Sequence, residues 1–323
     1  MTMFRQILVL CIMAMVVGCS GVQFDLPQHT DHFSNAINYN NKVDILWLVD
    51  DSSSMEKHQR SLDEQIPSLV TTLNSLKMNY HIAVATSSVT HPQTGGRLLG
   101  QPRFLTQQTP NMLALLRERM LAGELGSNLE RSLDAMEIVL SPRYQSEEGK
   151  GFLRDDALLV VIALSDEEDN SPVSNPVVHF TNFLDSIKAP WVDGSRSWVF
   201  NFIGVLEESP ACRTFNDYSS VGNIFKGLAD ISGGIKESIC TSSLDRAVKN
   251  IRARIYQIIT DYKLSKKPII ESIRVKLGGV EIPRSQENGW DYIEPTNVIR
   301  FYGSAVPAAD VSISVDFKPR EAN

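Results

Sequence analysis

Three small oxygen-bearing side chains follow directly after an apolar stretch of this sequence. Residues 43 to 49 (VDILWLV) lead into Asp50, Ser52 and Ser54. Because these three positions alternate along the chain, an extended or looping backbone can project their side chains to the same side. Closely spaced oxygen ligands suit a hard cation such as Mg²⁺. Asp and Ser also form turns and helix N-caps, so this cluster alone leaves both a cation site and a structural turn open.

A parallel sheet would hold this cluster in place. Residues 43 to 49 are almost continuously apolar, which is typical of a strand buried on both faces. A second apolar run, residues 157 to 164 (ALLVVIAL), ends in Ser165 and Asp166. Ligands of α/β proteins bind at the carboxyl ends of such strands. Both polar clusters therefore stand where a ligand of the sheet is expected.

Strand and helix patterns alternate along residues 43 to 262. Apolar residues at spacings of three and four form helical stripes, for example over residues 62 to 76 and 244 to 259. Pro67 inside the first stripe predicts a kink or a late helix start. Alternation of this kind indicates βαβ units. We therefore predict an α/β fold for residues 43 to 262, with a doubly wound, mostly parallel sheet flanked by helices.

The segments on either side of this domain have a different pattern. From residue 263 onward, short alternating strands are separated by Asn, Gly and Pro. We predict that residues 263 to 323 form a small antiparallel β unit, which would be marginal alone and packs beside the main domain. Residues 19 to 42 are polar and lack periodicity, which predicts a flexible linker.

The N-terminus has the features of an export signal. Arg5 is followed by an apolar run and then by small residues and Cys19. The run is shorter than the roughly 20 residues that a transmembrane helix needs. Residues 16 to 19 (VVGC) resemble the lipobox of bacterial lipoproteins, in which residues 1 to 18 are removed as the signal peptide and Cys19 is lipidated. An ordinary secretory signal is the alternative. Ser20 resembles the outer-membrane sorting pattern of Gram-negative bacteria, so we expect a lipid-anchored envelope protein that faces the periplasm or the outside.

Four cysteines are present in the chain. If Cys19 is lipidated and Cys11 is removed with the signal, Cys212 and Cys240 remain. An even pair in an exported protein predicts a disulfide bond. The alternative is a pair of buried free thiols.

Composition and motifs exclude several classes of protein. A net charge of −7 provides no electrostatic footprint for nucleic acid. The six histidines do not form a zinc-binding pattern, and neither the dinucleotide-binding nor the P-loop glycine motif occurs. We therefore expect neither a nucleic-acid-binding protein nor a nucleotide-binding enzyme.

Three motifs occur in an order that resembles a known family. They are D-x-S-x-S at residues 50 to 54, G-S-N at residues 126 to 128 and S-D at residues 165 to 166. Together they resemble the metal-ion-dependent adhesion site of the von Willebrand factor type A family. The resemblance covers roughly residues 43 to 262 and implies the α/β fold predicted above.

The resemblance also implies which residues hold the cation. Ser52 and Ser54 would be direct ligands, with Asp50 and Asp166 in or next to the first coordination shell. Ser127 stands where the family usually has Thr, so the hydroxyl is kept and the methyl group is lost. The cation would be a single Mg²⁺, or Mn²⁺ or Ca²⁺ in its place.

The implied function is recognition rather than catalysis. Neutral hydroxyl ligands leave Mg²⁺ under-neutralised and with an open position, which an acidic group on a protein or a surface glycan can complete. One alternative is a metal-free scaffold protein of the envelope. Another is a serine hydrolase, because Ser54 and Lys57 have the S-x-x-K spacing of β-lactamases and penicillin-binding proteins, but the K-T-G motif that accompanies it there is missing. The separate G-x-S-x-G motif of other serine hydrolases is also missing. We expect a binding protein without enzymatic activity, and the oligomeric state is left open.

Overall fold

The computed structural model describes residues 28–33, 42–76, 78–126, 129–191, 194–215, 220–307 and 311–320. The strands in these ranges are β1 (His29–Phe33), β2 (Lys42–Val49), β3 (Asn79–Thr86), β4 (Leu158–Ser165), β5 (Trp198–Gly204), β6 (Lys236–Ser238), β7 (Asp261–Lys263), β8 (Arg274–Leu277), β9 (Val280–Ile282), β10 (Trp290–Ile293), β11 (Val298–Phe301) and β12 (Ile313–Phe317). The α-helices are α1 (Glu56–Asp63), α2 (Ile66–Ser75), α3 (Met112–Met120), α4 (Ser132–Leu140), α5 (Pro142–Ser146), α6 (Pro176–Ile187), α7 (Pro210–Phe215), α8 (Asn223–Ser232) and α9 (Asp245–Thr260).

A parallel sheet of five strands forms the centre of the fold, in the order β3-β2-β4-β5-β6. Every residue of β4 and every residue of β2 after Lys42 is buried. Since side chains alternate between the two faces of a strand, Trp47 packs into one core and Leu48 into another. This arrangement confirms the predicted fold class and places the carboxyl ends of β2 and β4 side by side.

Helices cover both faces of this sheet. The core on one face includes residues of α1, α2, α3 and α9, and the core on the other face includes residues of α4, α6 and α8. Pro67 lies in the first turn of α2, where it removes no intrahelical hydrogen bond. The predicted late start is therefore correct, because α1 ends at Asp63 and a separate helix begins at Ile66.

The antiparallel unit consists of two small sheets, β1-β12-β8-β9 and β10-β11-β7. Two of its strands lie outside the predicted boundaries. Strand β1 belongs to residues 19 to 42, which were predicted to be a flexible linker, and β7 begins before residue 263. The polar sequence of β1 has no apolar alternation that would predict a strand. The strand is held by backbone pairing with β12 and by a 2.6 Å hydrogen bond from Thr30 Oγ1 to Asp316 Oδ1.

Cys212 and Cys240 form a disulfide bond, as predicted. The bond joins α7 to the segment after β6, and the two Cα atoms are 4.7 Å apart. The predicted signal peptide, residues 1 to 18, and Cys19 lie outside the described residues. Among the residues that are described, no helix has both the length and the apolar character needed to cross a membrane.

Candidate cation site

Asp50 follows the last residue of β2 and is fully buried. Its Oδ1 accepts a hydrogen bond from the backbone N–H of Ser52 at 2.9 Å, and its Oδ2 accepts one from the hydroxyl of Ser165 at 2.6 Å. Burial raises the pKa of Asp50, and the hydrogen bonds from Ser165 and Ser52 oppose that shift. The carboxylate is therefore held from two directions at the edge of the sheet.

The hydroxyls of Ser52 and Ser54 lie 3.2 Å apart at this edge. Ser52 is buried and Ser54 is half-buried, whereas Ser53 between them is exposed. Adjacent ligands of an octahedral Mg²⁺, each about 2.1 Å from the ion, lie about 3 Å from one another. The spacing of the two hydroxyls is close to what one cation would require.

The remaining predicted ligands are placed as follows. Asp166 comes directly after β4, the strand that pairs with β2, and it is buried. The structure thus brings Asp166 to the same sheet edge as Asp50. Ser127, predicted as the third hydroxyl ligand, lies outside the described residues.

Gln59 on α1 fixes the loop beside this edge, and its role was not predicted from the sequence. Its side-chain Nε2 donates to the backbone carbonyl of Asp50 at 2.8 Å and to that of Gly123 at 2.9 Å. Its Oε1 accepts from the N–H of Gly123 at 3.1 Å. One buried amide therefore joins the end of β2 to the loop after α3.

Gly126 brings that loop close to Asp51. The N–H of Gly126 donates to the Asp51 carbonyl at 2.9 Å, and a Cβ atom at residue 126 would lie 2.5 Å from Asp51 Cγ. Only glycine permits this approach without a shift of the backbone. Asp51 in turn accepts hydrogen bonds from the hydroxyls of Ser87 and Ser88, which tie it to the end of β3.

Glu130 is a second buried acid that the sequence did not single out. Its side chain is 0% exposed, and neither of its carboxyl oxygens has a hydrogen-bond partner among the described residues. The pKa of Glu130 is raised to about 9, mainly by burial and secondly by the negative charge of Asp50. Two neighbouring buried acids are stable only when a proton or a cation offsets their charge. With a pKa of about 9, Glu130 holds a proton at neutral pH, so its own charge is offset beside Asp50.

A cleft of about 690 Å³ opens over the serine cluster. Its lining residues are Ser52, Ser53, Ser54, Glu56, Lys57, Glu124 and Glu167. Three carboxylates and one ammonium group give this rim a net negative charge. Leu125, next to the rim, is 89% exposed. The opening would attract a cation and, without one, would repel an acidic group.

The donor set fits a hard cation. Carboxylate and hydroxyl oxygens of Asp50, Ser52 and Ser54 are the ligand types that Mg²⁺ prefers. In the part of the chain that is described, no three His, Cys, Asp or Glu side chains are grouped so that they could hold a metal ion. A cation at this edge would therefore depend on the serine hydroxyls.

Ser54 and Lys57 do not lie on one helix. Ser54 precedes α1, which begins at Glu56, and the Ser54 hydroxyl lies within hydrogen-bonding distance of Ser52. The S-x-x-K spacing of the hydrolase hypothesis depends on a helix that carries both residues. Here the two residues are separated by the start of the helix.

Comparisons with known proteins provide only distant similarities. No model of a protein family matches the chain, and no curated protein sequence does either. Among solved structures, von Willebrand factor type A from Catenulispora acidiphila is 12% identical with a TM-score of 0.40, over 92% of this chain and 66% of that one. Proximal thread matrix protein 1 from the mussel byssus is 14% identical with a TM-score of 0.40, and the match covers 70% of this chain and 49% of that one. The pilus adhesin SpaC from Lactobacillus rhamnosus GG is 11% identical with a TM-score of 0.39, and the match covers 87% of this chain and 40% of that one.

This chain therefore spans 40% to 66% of the lengths of those three proteins. Similarities at this level carry no argument about function, which has to come from the site itself.

Proposed function

We propose that this protein binds a partner through one divalent cation held at the carboxyl edge of its central sheet. The observation that carries the proposal is the 3.2 Å spacing of the Ser52 and Ser54 hydroxyls beside the buried carboxylate of Asp50. Asp166 and Ser127 would complete the protein ligands. Mg²⁺ is the first candidate, with Mn²⁺ and Ca²⁺ as alternatives that share its preference for oxygen.

The proposed partner supplies an acidic group, carried by a protein or by a surface glycan. Two neutral hydroxyls as direct ligands, with the carboxylates of Asp50 and Asp166 next to the coordination shell, leave the cation with positive charge and an open coordination position. The glutamates of the rim, Glu56, Glu124 and Glu167, repel a free carboxylate, so recognition would depend strictly on the bound cation. The proposed role is therefore adhesion-type binding, without a catalytic step.

Water relaxation with Mn²⁺ tests this role. Protein-bound Mn²⁺ accelerates the relaxation of its exchanging water, and a carboxylate that displaces this water lowers the effect. A short peptide with one glutamate is expected to lower the relaxation rate, whereas its glutamine analogue does not. Equal effects of the two peptides would contradict an acidic partner. A relaxation rate that is the same with wild-type protein and with Asp50→Ala would contradict the cation site.

We also propose that Cys19 carries a lipid and anchors the protein in the bacterial outer membrane. The basis is the VVGC sequence at residues 16 to 19, followed by Ser20. Metabolic labelling with a clickable palmitate in a Gram-negative host is expected to mark the wild type and to fail for Cys19→Ser. Labelling that persists in this variant would contradict the anchor.

Two other functions lead to different observations. A metal-free scaffold would show no change in melting temperature with Mg²⁺ or Mn²⁺. A serine hydrolase would be labelled at Ser54 by a fluorophosphonate, and Lys57→Ala would reduce that labelling. We expect a cation-dependent change in melting temperature and no labelling.

A further inference from the structure

A second crevice lies near the amino end of β5, on the other side of the central sheet from the proposed cation site. It is bounded by residues of the α/β domain and by β7 and β11 of the antiparallel unit. It has a volume of about 390 Å³, within the range of small-molecule sites. Its lining combines aromatic, aliphatic and charged side chains, among them Trp191, Arg196, Arg254, Ile258, Asp261 and Lys263. None of these residues belongs to the proposed cation site.

Arg254 on α9 is the most informative residue in this crevice. Its Nε donates to the backbone carbonyl of Gly233 at 2.7 Å, and its terminal nitrogens have no acceptor among the described residues. Burial lowers the pKa of Arg254, although the charge of Asp261 opposes this shift. Asp261 forms its ion pair with Arg300, which donates to both of its carboxylate oxygens. A partly buried guanidinium without a carboxylate partner is suited to an anion.

The charge around Arg254 is positive as well. Lys263 lines the same crevice and makes no ion pair with a described residue. The pairs Arg196–Asp185 and Arg300–Asp261 are neutral, so Arg254 and Lys263 leave a net charge of +2. This charge stands out in a chain whose net charge is −7.

Apolar surface lies next to these cations. Arg196 stacks over the ring of Trp198 at 5.3 Å, and the indole N–H of Trp198 donates to Asp185. Trp198 and Val298 are themselves buried, so the apolar surface of the crevice is provided by the half-buried Trp191 and Ile258. We infer that the crevice binds a small organic carboxylate, whose acidic group pairs with Arg254 and Lys263 and whose apolar face packs on Trp191. Uronic acids and aromatic acids share this chemistry.

Calorimetric titration of the full chain with glucuronate and with benzoate tests the inference. The protein is first freed of divalent cations with EDTA and then dialysed into metal-free buffer without EDTA, because EDTA is itself a carboxylate. No cation can then recruit the acids to the first site, and the result is independent of the proposed function. At least one acid is expected to bind, and its neutral analogue, glucose or benzyl alcohol, is not. The acid that binds distinguishes a sugar ligand from an aromatic one.

Matched variants locate the binding. Arg254→Gln and Lys263→Gln are each expected to weaken it about tenfold or more, the cost of losing a charged hydrogen bond. Arg252→Gln, on the same helix but bonded to Ser68, provides the control and is expected to leave affinity unchanged. If neither acid binds at about 10 mM, or if Arg252→Gln weakens binding as much as Lys263→Gln, the inference is wrong.

Discussion

The hydroxyl of Ser165, the last residue of β4, donates a 2.6 Å hydrogen bond to Oδ2 of Asp50, which follows β2. The backbone N–H of Asp50 donates to the carbonyl of Leu164 at 3.0 Å, so the ends of the two strands are joined twice. Oδ1 of Asp50 is held by Ser52. The direction of the Asp50 carboxylate is therefore set by contacts that exist before any cation arrives, and such supporting contacts tune the affinity of metal sites.

Ser165→Ala is expected to weaken cation binding roughly tenfold, the lower end of the effect of losing a residue that orients a ligand. The cause is that Asp50 Oδ2 loses its donor and the carboxylate becomes free to turn. Calorimetric titration with Mg²⁺ measures the change. Ser165→Thr keeps the hydroxyl and is expected to restore most of the affinity. Equal loss in both variants would show that the hydrogen bond is not the reason.

Ser52→Ala is expected to weaken Mg²⁺ binding by about tenfold or more, because a direct oxygen ligand is lost. Ser53→Ala provides a matched control, since Ser53 is exposed and lies between the two serines whose hydroxyls are paired. Its affinity for Mg²⁺ is expected to equal that of the wild type. If both substitutions have the same effect, the hydroxyl of Ser52 is not a ligand.

Asp44 is expected to make stability depend on pH. Burial raises its pKa to about 6, although Arg154 beside it opposes the shift. The folded state therefore holds the proton more tightly than the unfolded state. The resulting stabilisation is complete below about pH 4 and is lost as the pH rises through about 6.

Asp44→Asn removes this titration and leaves Arg154 without its charged partner, so the variant is expected to be less stable overall. Between pH 4 and 7 the wild type is expected to lose up to about 3 kcal/mol in free energy of unfolding relative to the variant. Urea unfolding at several pH values measures both curves. A constant difference between them would contradict the raised pKa.

The disulfide is expected to stabilise the fold by constraining the unfolded chain. Cys212 and Cys240 are 28 positions apart, and the chain-entropy model assigns a loop of this size roughly 3–4 kcal/mol. The double substitution Cys212→Ser and Cys240→Ser is expected to lower the free energy of unfolding by that amount in urea. A reductant should destabilise the wild type and leave the double variant unchanged. A reductant effect on both would point to another cause.

The parts of the site that are local in sequence could be predicted. An apolar strand followed by D-x-S-x-S indicated both the sheet edge and the positions of Asp50, Ser52 and Ser54, because strand burial and cluster spacing are properties of adjacent residues. Gln59 and Glu130 were missed. Their importance arises from contacts with Asp50 and its surroundings across separate elements, and neither residue type marks such a contact in advance.

The start of α4 illustrates the same limit. The apolar spacing predicts a helix from Leu129, but α4 begins at Ser132. There the N–H groups of Leu133 and Asp134 donate to the side chains of Asp169 and Ser171, which come from the loop after β4. Strand β1 was missed for a related reason. Its pairing with β12 lies almost 290 positions away in the chain and is made by backbone groups that every sequence has.

Calorimetric titration of Mg²⁺ and Mn²⁺ into the full-length chain, beside Asp50→Ala, tests the central claim most directly. The predicted result is saturable binding of one cation per chain by the wild type and loss of that binding in the variant. Melting curves without added metal provide the check that the variant is folded. If the wild type shows neither heat of binding nor a change in melting temperature with either cation, the proposed site is wrong.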